Sequence, residues 1–199
     1  MQMKSVVATL LAVMLIAAVA NPAAACKGSE TLLSGFNGPW VKTYQDKNSW
    51  DITEEKVIGR SDEGYGGALS YEGSFFPEAV VCVDIKLPEV ITFISGALSI
   101  ATRDGTYVIH ITTTGQALVI LSTPDGILTP VPPTPINGMR IGEANKLRVV
   151  WGAGRGARVE INDQPAFEFP LAERGRKIGL YVESQGLDIE FSNFKVTRE

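Results

Sequence analysis

From residue 30 onward, apolar and polar side chains alternate with a period of two, and turn residues break the alternation every eight to twelve positions. This pattern predicts strands with one buried face, because successive side chains on a strand point to opposite sides. Val81, Val83 and Ile85 share one side of a segment whose other side carries Val80, Cys82, Asp84 and Lys86, and Pro88 stops it. Tyr107, Ile109 and Ile111 alternate with Val108, His110 and Thr112, and Leu147, Val149 and Trp151 oppose Arg148 and Val150. Val159 and Ile161 oppose Arg158, Glu160 and Asn162, while Ile178, Leu180 and Val182 oppose Tyr181 and Glu183. Leu187, Ile189 and Phe191 oppose Asp188 and Glu190. The apolar phase then jumps to Phe194 and Val196, which predicts a bulge near Ser192 and Asn193.

Turn chemistry separates these segments. Thr114-Gly115, Pro124-Asp125-Gly126 and Asn162-Asp163 are placed where the chain must reverse, since Gly, Asn and Asp tolerate positive φ and Pro presets the turn. Residues 130–138 hold Pro130, Pro132, Pro133 and Pro135 and lack the donors of a central strand, so they read as an extended surface crossing. Residues 171–174 have room for one helical turn. Roughly a dozen short antiparallel strands in a single domain imply an all-β sandwich or barrel.

The first 25 residues follow another rule. Lys4 is their only charge, residues 6–20 are apolar apart from Thr9, and Asn21-Pro22 precede Ala23-Ala24-Ala25. This is the layout of a secretory signal peptide, and its apolar run is shorter than the roughly 20 residues of a membrane span. The expected organisation is a leader over 1–25 and one domain over 26–199, exported to the periplasm or the exterior. Cleavage after Ala25 leaves Cys26 first, as in a lipid-anchored protein, but Ala23 stands where such a box usually has Leu. The even count of two cysteines in an oxidising compartment favours pairing Cys26 with Cys82.

Composition narrows the chemistry. With 45% hydrophobic and 20% charged residues the balance is that of an ordinary globular protein. A net charge of −4 argues against nucleic acid, which needs a basic footprint. One histidine and two cysteines are too few for a His- or Cys-ligated metal centre, and no cofactor motif stands out. Gly152-Ala153-Gly154-Arg155-Gly156 joins two strands rather than a strand and a helix, and so is a hairpin tip, not a phosphate loop.

Several local patterns together resemble concanavalin A-like jelly-roll domains: Phe36-Asn37-Gly38 with Trp40, Trp50-Asp51-Ile52 before Lys56-Val57-Ile58-Gly59, Asn145-Lys146-Leu147-Arg148-Val149, Arg158-Val159-Glu160-Ile161-Asn162, Lys177-Ile178-Gly179-Leu180-Tyr181, and the closing Ile189-Glu190-Phe191-Ser192-Asn193-Phe194-Lys195-Val196. The similarity runs from about Leu32 to Val196 and is nearest to secreted bacterial domains of the 3-keto-disaccharide hydrolase and laminin-G-like groups. It implies an antiparallel jelly-roll sandwich. It also implies an N-terminal cysteine paired with one placed like Cys82 in Val81-Cys82-Val83-Asp84.

Activity is less sharply marked. The Glu-x-Asp-x-x-Glu strand of jelly-roll glucanases is absent. Asp188 and Glu190, two apart on one strand face, are the nearest substitute for a glycosidase carboxyl pair. His110, Arg148, Arg158, Glu160, Tyr181 and Glu183 occupy polar strand faces and would form a shallow ligand groove if their strands share a sheet. The expected role is non-catalytic binding of a saccharide or another envelope ligand. The alternatives are hydrolysis of a (3-keto-)disaccharide and a structural role in the envelope.

Overall fold

Two antiparallel sheets carry the alternation in the computed structural model, which describes residues 26, 28–43, 47–152, 156–172 and 176–198. The strands are β1 (Glu30–Ser34), β2 (Trp40–Thr43), β3 (Asn48–Ile52), β4 (Lys56–Ser61), β5 (Gly67–Tyr71), β6 (Ala79–Lys86), β7 (Ser95–Ala101) and β8 (Thr106–Thr112). They continue with β9 (Gln116–Thr123), β10 (Gly126–Pro135), β11 (Ala144–Trp151), β12 (Ala157–Ile161), β13 (Gln164–Phe169), β14 (Lys177–Glu183) and β15 (Ile189–Arg198). One sheet runs β13-β12-β11-β6-β15-β4-β3, with β1 added on β15; the other runs β10-β9-β8-β7-β14-β5-β2. They are called here the β6 sheet and the β14 sheet.

The core is the layer between them. Val81, Val83 and Ile85 of β6 align with Leu147 and Val149 of β11 and with Phe191 and Val196 of β15. From the opposite sheet, Leu98, Ile100, Ile109, Ile111, Ile178, Leu180 and Val182 close on them, all but inaccessible to solvent. Burying each such side chain contributes about 1.5–3 kcal/mol, which fixes the register, because a one-residue slip would turn the whole apolar set outward. Phe36, Trp40 and Phe194 form an aromatic group at one end, with Phe36 and Phe194 stacked at 5.2 Å between centroids.

Local expectations meet specific outcomes. The pairing of β15 with β6 shifts between Ser192 and Lys195, where Asn193 takes φ 51°, so the phase jump is a bulge. Asn162 and Asp163 both have positive φ, 51° and 64°, as a two-residue hairpin turn requires. The proline-rich segment departs from expectation. It is not a free crossing but the edge strand β10, paired with β9 through two register shifts, between Leu128 and Val131 and between Val131 and Thr134. An edge strand has partners on one side only, so residues without an N–H are accommodated at the interruptions. The expected leader over 1–25 lies outside the described residues. So do residues 153–155 of the glycine-rich tip and 173–174 of the expected helical turn, and Leu171 and Ala172 carry no helix.

Cys26 and Cys82 form a disulfide with their Cα atoms 5.9 Å apart. Cys82 lies on the outer side of β6, opposite Val81 and Val83, and Cys26 packs there against Val80, Cys82 and Val150. The bridge therefore straps the start of the described chain across the outside of the β6 sheet.

Candidate functional site

The outer face of the β14 sheet is laid out by strand register. Leu180 and Val182 point into the core, so Tyr181 and Glu183 point out; Ile109 and Ile111 do the same for His110. Across the sheet, Ala68, Tyr181, Ala97, His110 and Leu118 form one row of direct partners. Because Ala97 between them is small, the Tyr181 and His110 rings meet edge to face over it, 5.4 Å apart at 79°. In the next row Ser70, Gly179, Ser99 and Val108 line up. A Cβ on Gly179 would stand 2.6 Å from Ser99 Oγ and 2.8 Å from Leu69 O, so the floor is lowest where no side chain fits.

These rows floor a groove in two halves that share Val108, Ser122 and Tyr181. The first half, about 590 Å³, is bounded by His110, Glu183, Ile120 and Ile127 and by Tyr65 on the turn after β4. The second half, about 550 Å³, is floored by the small residues Ala68, Ser70, Ser99 and Ala101 and walled by Glu72 and Lys177. An apolar body carrying a few polar groups is the usual make-up of a small-ligand site.

His110 is only 3% exposed and its Nδ1 shares a 2.9 Å hydrogen bond with Ser95 Oγ. Burial pushes its pKa down to about 4, so the ring is neutral at ordinary pH and offers hydrogen bonding rather than charge. Glu72 accepts a charge-assisted bond from Lys177 at the far end of the groove. Residues 177 and 183 are six apart on β14, which sets their Cα atoms about 20 Å apart. A glycosidase needs its two carboxyl groups within about 9.5 Å. Glu183 and Glu72, the carboxylates that line the two halves among the described residues, do not form such a pair.

The six residues expected in one groove divide between the sheets. His110, Tyr181 and Glu183 do converge on the outer face of the β14 sheet. Arg148, Arg158 and Glu160 belong to β11 and β12, on the outer face of the β6 sheet, and the outer faces of a sandwich look in opposite directions. There Arg148 and Glu160 are direct cross-strand partners, and Arg148 Nη1 donates to Glu160 Oε1 at 2.6 Å. Asp188 and Glu190 also lie away from the groove. Arg60 Nη2 donates to Asp188 Oδ2 at 3.0 Å, and Lys56 Nζ to Glu190 Oε2 at 3.2 Å, so each acid is held by its own surface cation. Two exposed, separately paired carboxylates lack the proton-sharing or desolvated setting that acid–base catalysis uses.

Sequence reasoning missed Tyr65, Lys47 and Ser95. The signal for Tyr65 was its position in Gly64-Tyr65-Gly66-Gly67, a turn that presents an aromatic ring between residues without side chains. Gly64 has φ 75°, and a Cβ on Gly66 would overlap the Tyr181 hydroxyl. An open depression of about 900 Å³, larger than either half of the groove, lies on the opposite face, over the disulfide and the β15 bulge. Within it Asn193 Nδ2 donates to Asp84 Oδ2, and Lys146 Nζ donates to Asp163 Oδ1 beyond its wall. Phe194, the aromatic residue in its wall among the described residues, is buried.

No protein-family model matches the chain, and no curated protein matches it in sequence. Solved structures do match in shape. The carbohydrate-binding module CBM66 from Bacillus subtilis superimposes with a TM-score of 0.64 at 14% identity, covering 80% of this chain and 96% of that one. A GlcNAcα1-4Gal-releasing endo-β-galactosidase from Clostridium perfringens gives 0.65 at 8% identity over 88% of this chain, which spans 64% of the length of that protein. A glycoside hydrolase family 16 endo-glucanase from Bacteroides ovatus gives 0.59 at 12% identity, covering 83% and 99%. At such identities the likeness speaks for fold: a concanavalin A-like antiparallel jelly roll, the architecture shared by carbohydrate-binding modules and glycoside hydrolases.

Proposed function

We propose that this is an exported protein that binds a saccharide in the groove of the β14 sheet without hydrolysing it. The observation that carries the reading is the groove itself, which offers aromatic and apolar walls and hydroxyl-bearing strands, and whose two lining carboxylates among the described residues, Glu183 and Glu72, stand at opposite ends, Glu72 being held by Lys177 about 20 Å of strand away from residue 183. The likeness to a carbohydrate-binding module over 96% of that module's length supports binding as the task. The secretory layout of residues 1–25, together with a disulfide that needs an oxidising compartment, supports export.

A saccharide array followed by calorimetry tests the reading. Saturable binding of at least one glycan, with no free sugar released from disaccharides or 3-keto-disaccharides, is the expected result. Sugar release would replace it with the hydrolase reading. Silent sugar screens beside co-purification of one protein partner would replace it with a structural role in the envelope.

A further inference from the structure

Tyr65 is half exposed at the rim of the groove's first half, on a turn held by backbone hydrogen bonds. Asp62 N donates to Lys47 O at 2.9 Å and Tyr65 N to Asp62 O at 3.1 Å, so the turn is anchored to the chain just before β3. Lys47 Nζ lies 5.2 Å from the centroid of the Tyr65 ring and occupies one of its faces. An aromatic ring kept in place yet left open to solvent has apolar area to cover. The C–H face of a pyranose ring is apolar and flat enough to cover it.

Charge around this half narrows the ligand further. Glu183 lines the cavity, and Asp62 and Glu63 stand on the Tyr65 turn itself. Against these three acids the rim sets Lys47, already over Tyr65, while Lys177 in the second half is bonded to Glu72. A carboxylated or sulfated sugar would therefore enter a net negative field. A sugar hydroxyl meets no such penalty. It donates to a carboxylate and exchanges hydrogen bonds with Ser70, Ser99 or Ser122 on the groove floor. The two halves run into one another past Tyr181 and Val108, which gives length for a chain rather than a single ring.

We infer that the groove takes an uncharged glycan chain, with one ring stacked on Tyr65 and hydroxyls donating to Glu183. The inference rests on the saccharide reading above and adds the ligand class and its anchoring residues.

Calorimetry on the full-length protein at low salt tests it, with neutral gluco-, galacto-, manno- and fructo-oligosaccharides set against oligogalacturonate and alginate oligomers. At least one neutral oligosaccharide is expected to bind tenfold or more tighter than either uronate. Tyr65→Ala should weaken that binding at least tenfold with an unchanged melting temperature, and Tyr65→Phe should retain it. Tighter binding of a uronate overturns the charge argument, and full affinity in Tyr65→Ala overturns the stacking role. Binding of neither class overturns the saccharide reading itself, an outcome distinct from both.

Discussion

Ser95 of β7 and His110 of β8 meet diagonally across the strand pair beneath the groove, with Oγ and Nδ1 2.9 Å apart and both residues buried. A serine hydroxyl in that position holds the imidazole in one orientation and leaves its edge against Tyr181. Burial keeps the ring in its neutral form at ordinary pH.

That neutrality has a pH signature. Burial lowers the His110 pKa from 6.5 to about 4, so between these values the unfolded chain binds more protons than the folded one. Stability from this site is therefore complete above about pH 6.5 and is lost as pH falls toward 4, by on the order of 3 kcal/mol. Ser95 and Tyr181 face the ring, and Glu183 lines the same cavity. Urea unfolding at pH 7.5 and 4.5 should show wild type losing more stability than His110→Gln. Equal losses in the two proteins would mean that His110 is not the group responsible.

The Cys26–Cys82 bridge closes a loop of 56 residues. In the chain-entropy account a loop of that length is worth about 4 kcal/mol. Reduction, or Cys26→Ser, should lower stability by about that amount and uncover Val80 and Val150, where Cys26 now packs. A thioether-linked lipid would need the same sulfur atom. Non-reducing mass spectrometry of the mature protein should find the cross-linked peptide pair and no lipid mass on Cys26.

Asp188→Asn and Glu190→Gln should leave the melting temperature and the affinity of the groove essentially unchanged. Their ion pairs with Arg60 and Lys56 are exposed, and such pairs are weakly stabilising. They also stand on the outer face of the β6 sheet, away from the groove. Loss of a sugar-releasing activity in either variant would instead identify a reaction centre on that face.

Gly66→Ala probes the groove wall. The new methyl group would overlap the Tyr181 hydroxyl, so the phenol ring must move or the Tyr65 turn must lift. Glycan affinity is expected to fall about tenfold, roughly 1.4 kcal/mol, with a cooperative unfolding transition retained. An unchanged affinity would place the ligand elsewhere than against Tyr181.

What the sequence determined by itself was set by near neighbours along the chain. Alternation assigned the inward set on β6, β8, β11 and β14 correctly, because a strand's two faces follow from a period of two with no knowledge of the partner strand. The bulge at Asn193 and the hairpin at Asn162-Asp163 were legible for the same reason, being local breaks of phase and local demands on φ. The disulfide could be anticipated from a count of two. Whether two polar strand faces look the same way is a different kind of fact, because it depends on sheet membership. His110, Tyr181 and Glu183 came together because β8 and β14 both flank β7, whereas Arg148, Arg158 and Glu160 were carried to the opposite side by pairing through β6. Tyr65 illustrates the same limit, since its turn lies over the groove only once β4 and β5 have entered different sheets and the connection between them crosses the edge of the sandwich. Local chemistry gave each residue its face, and long-range strand pairing gave each face its neighbours.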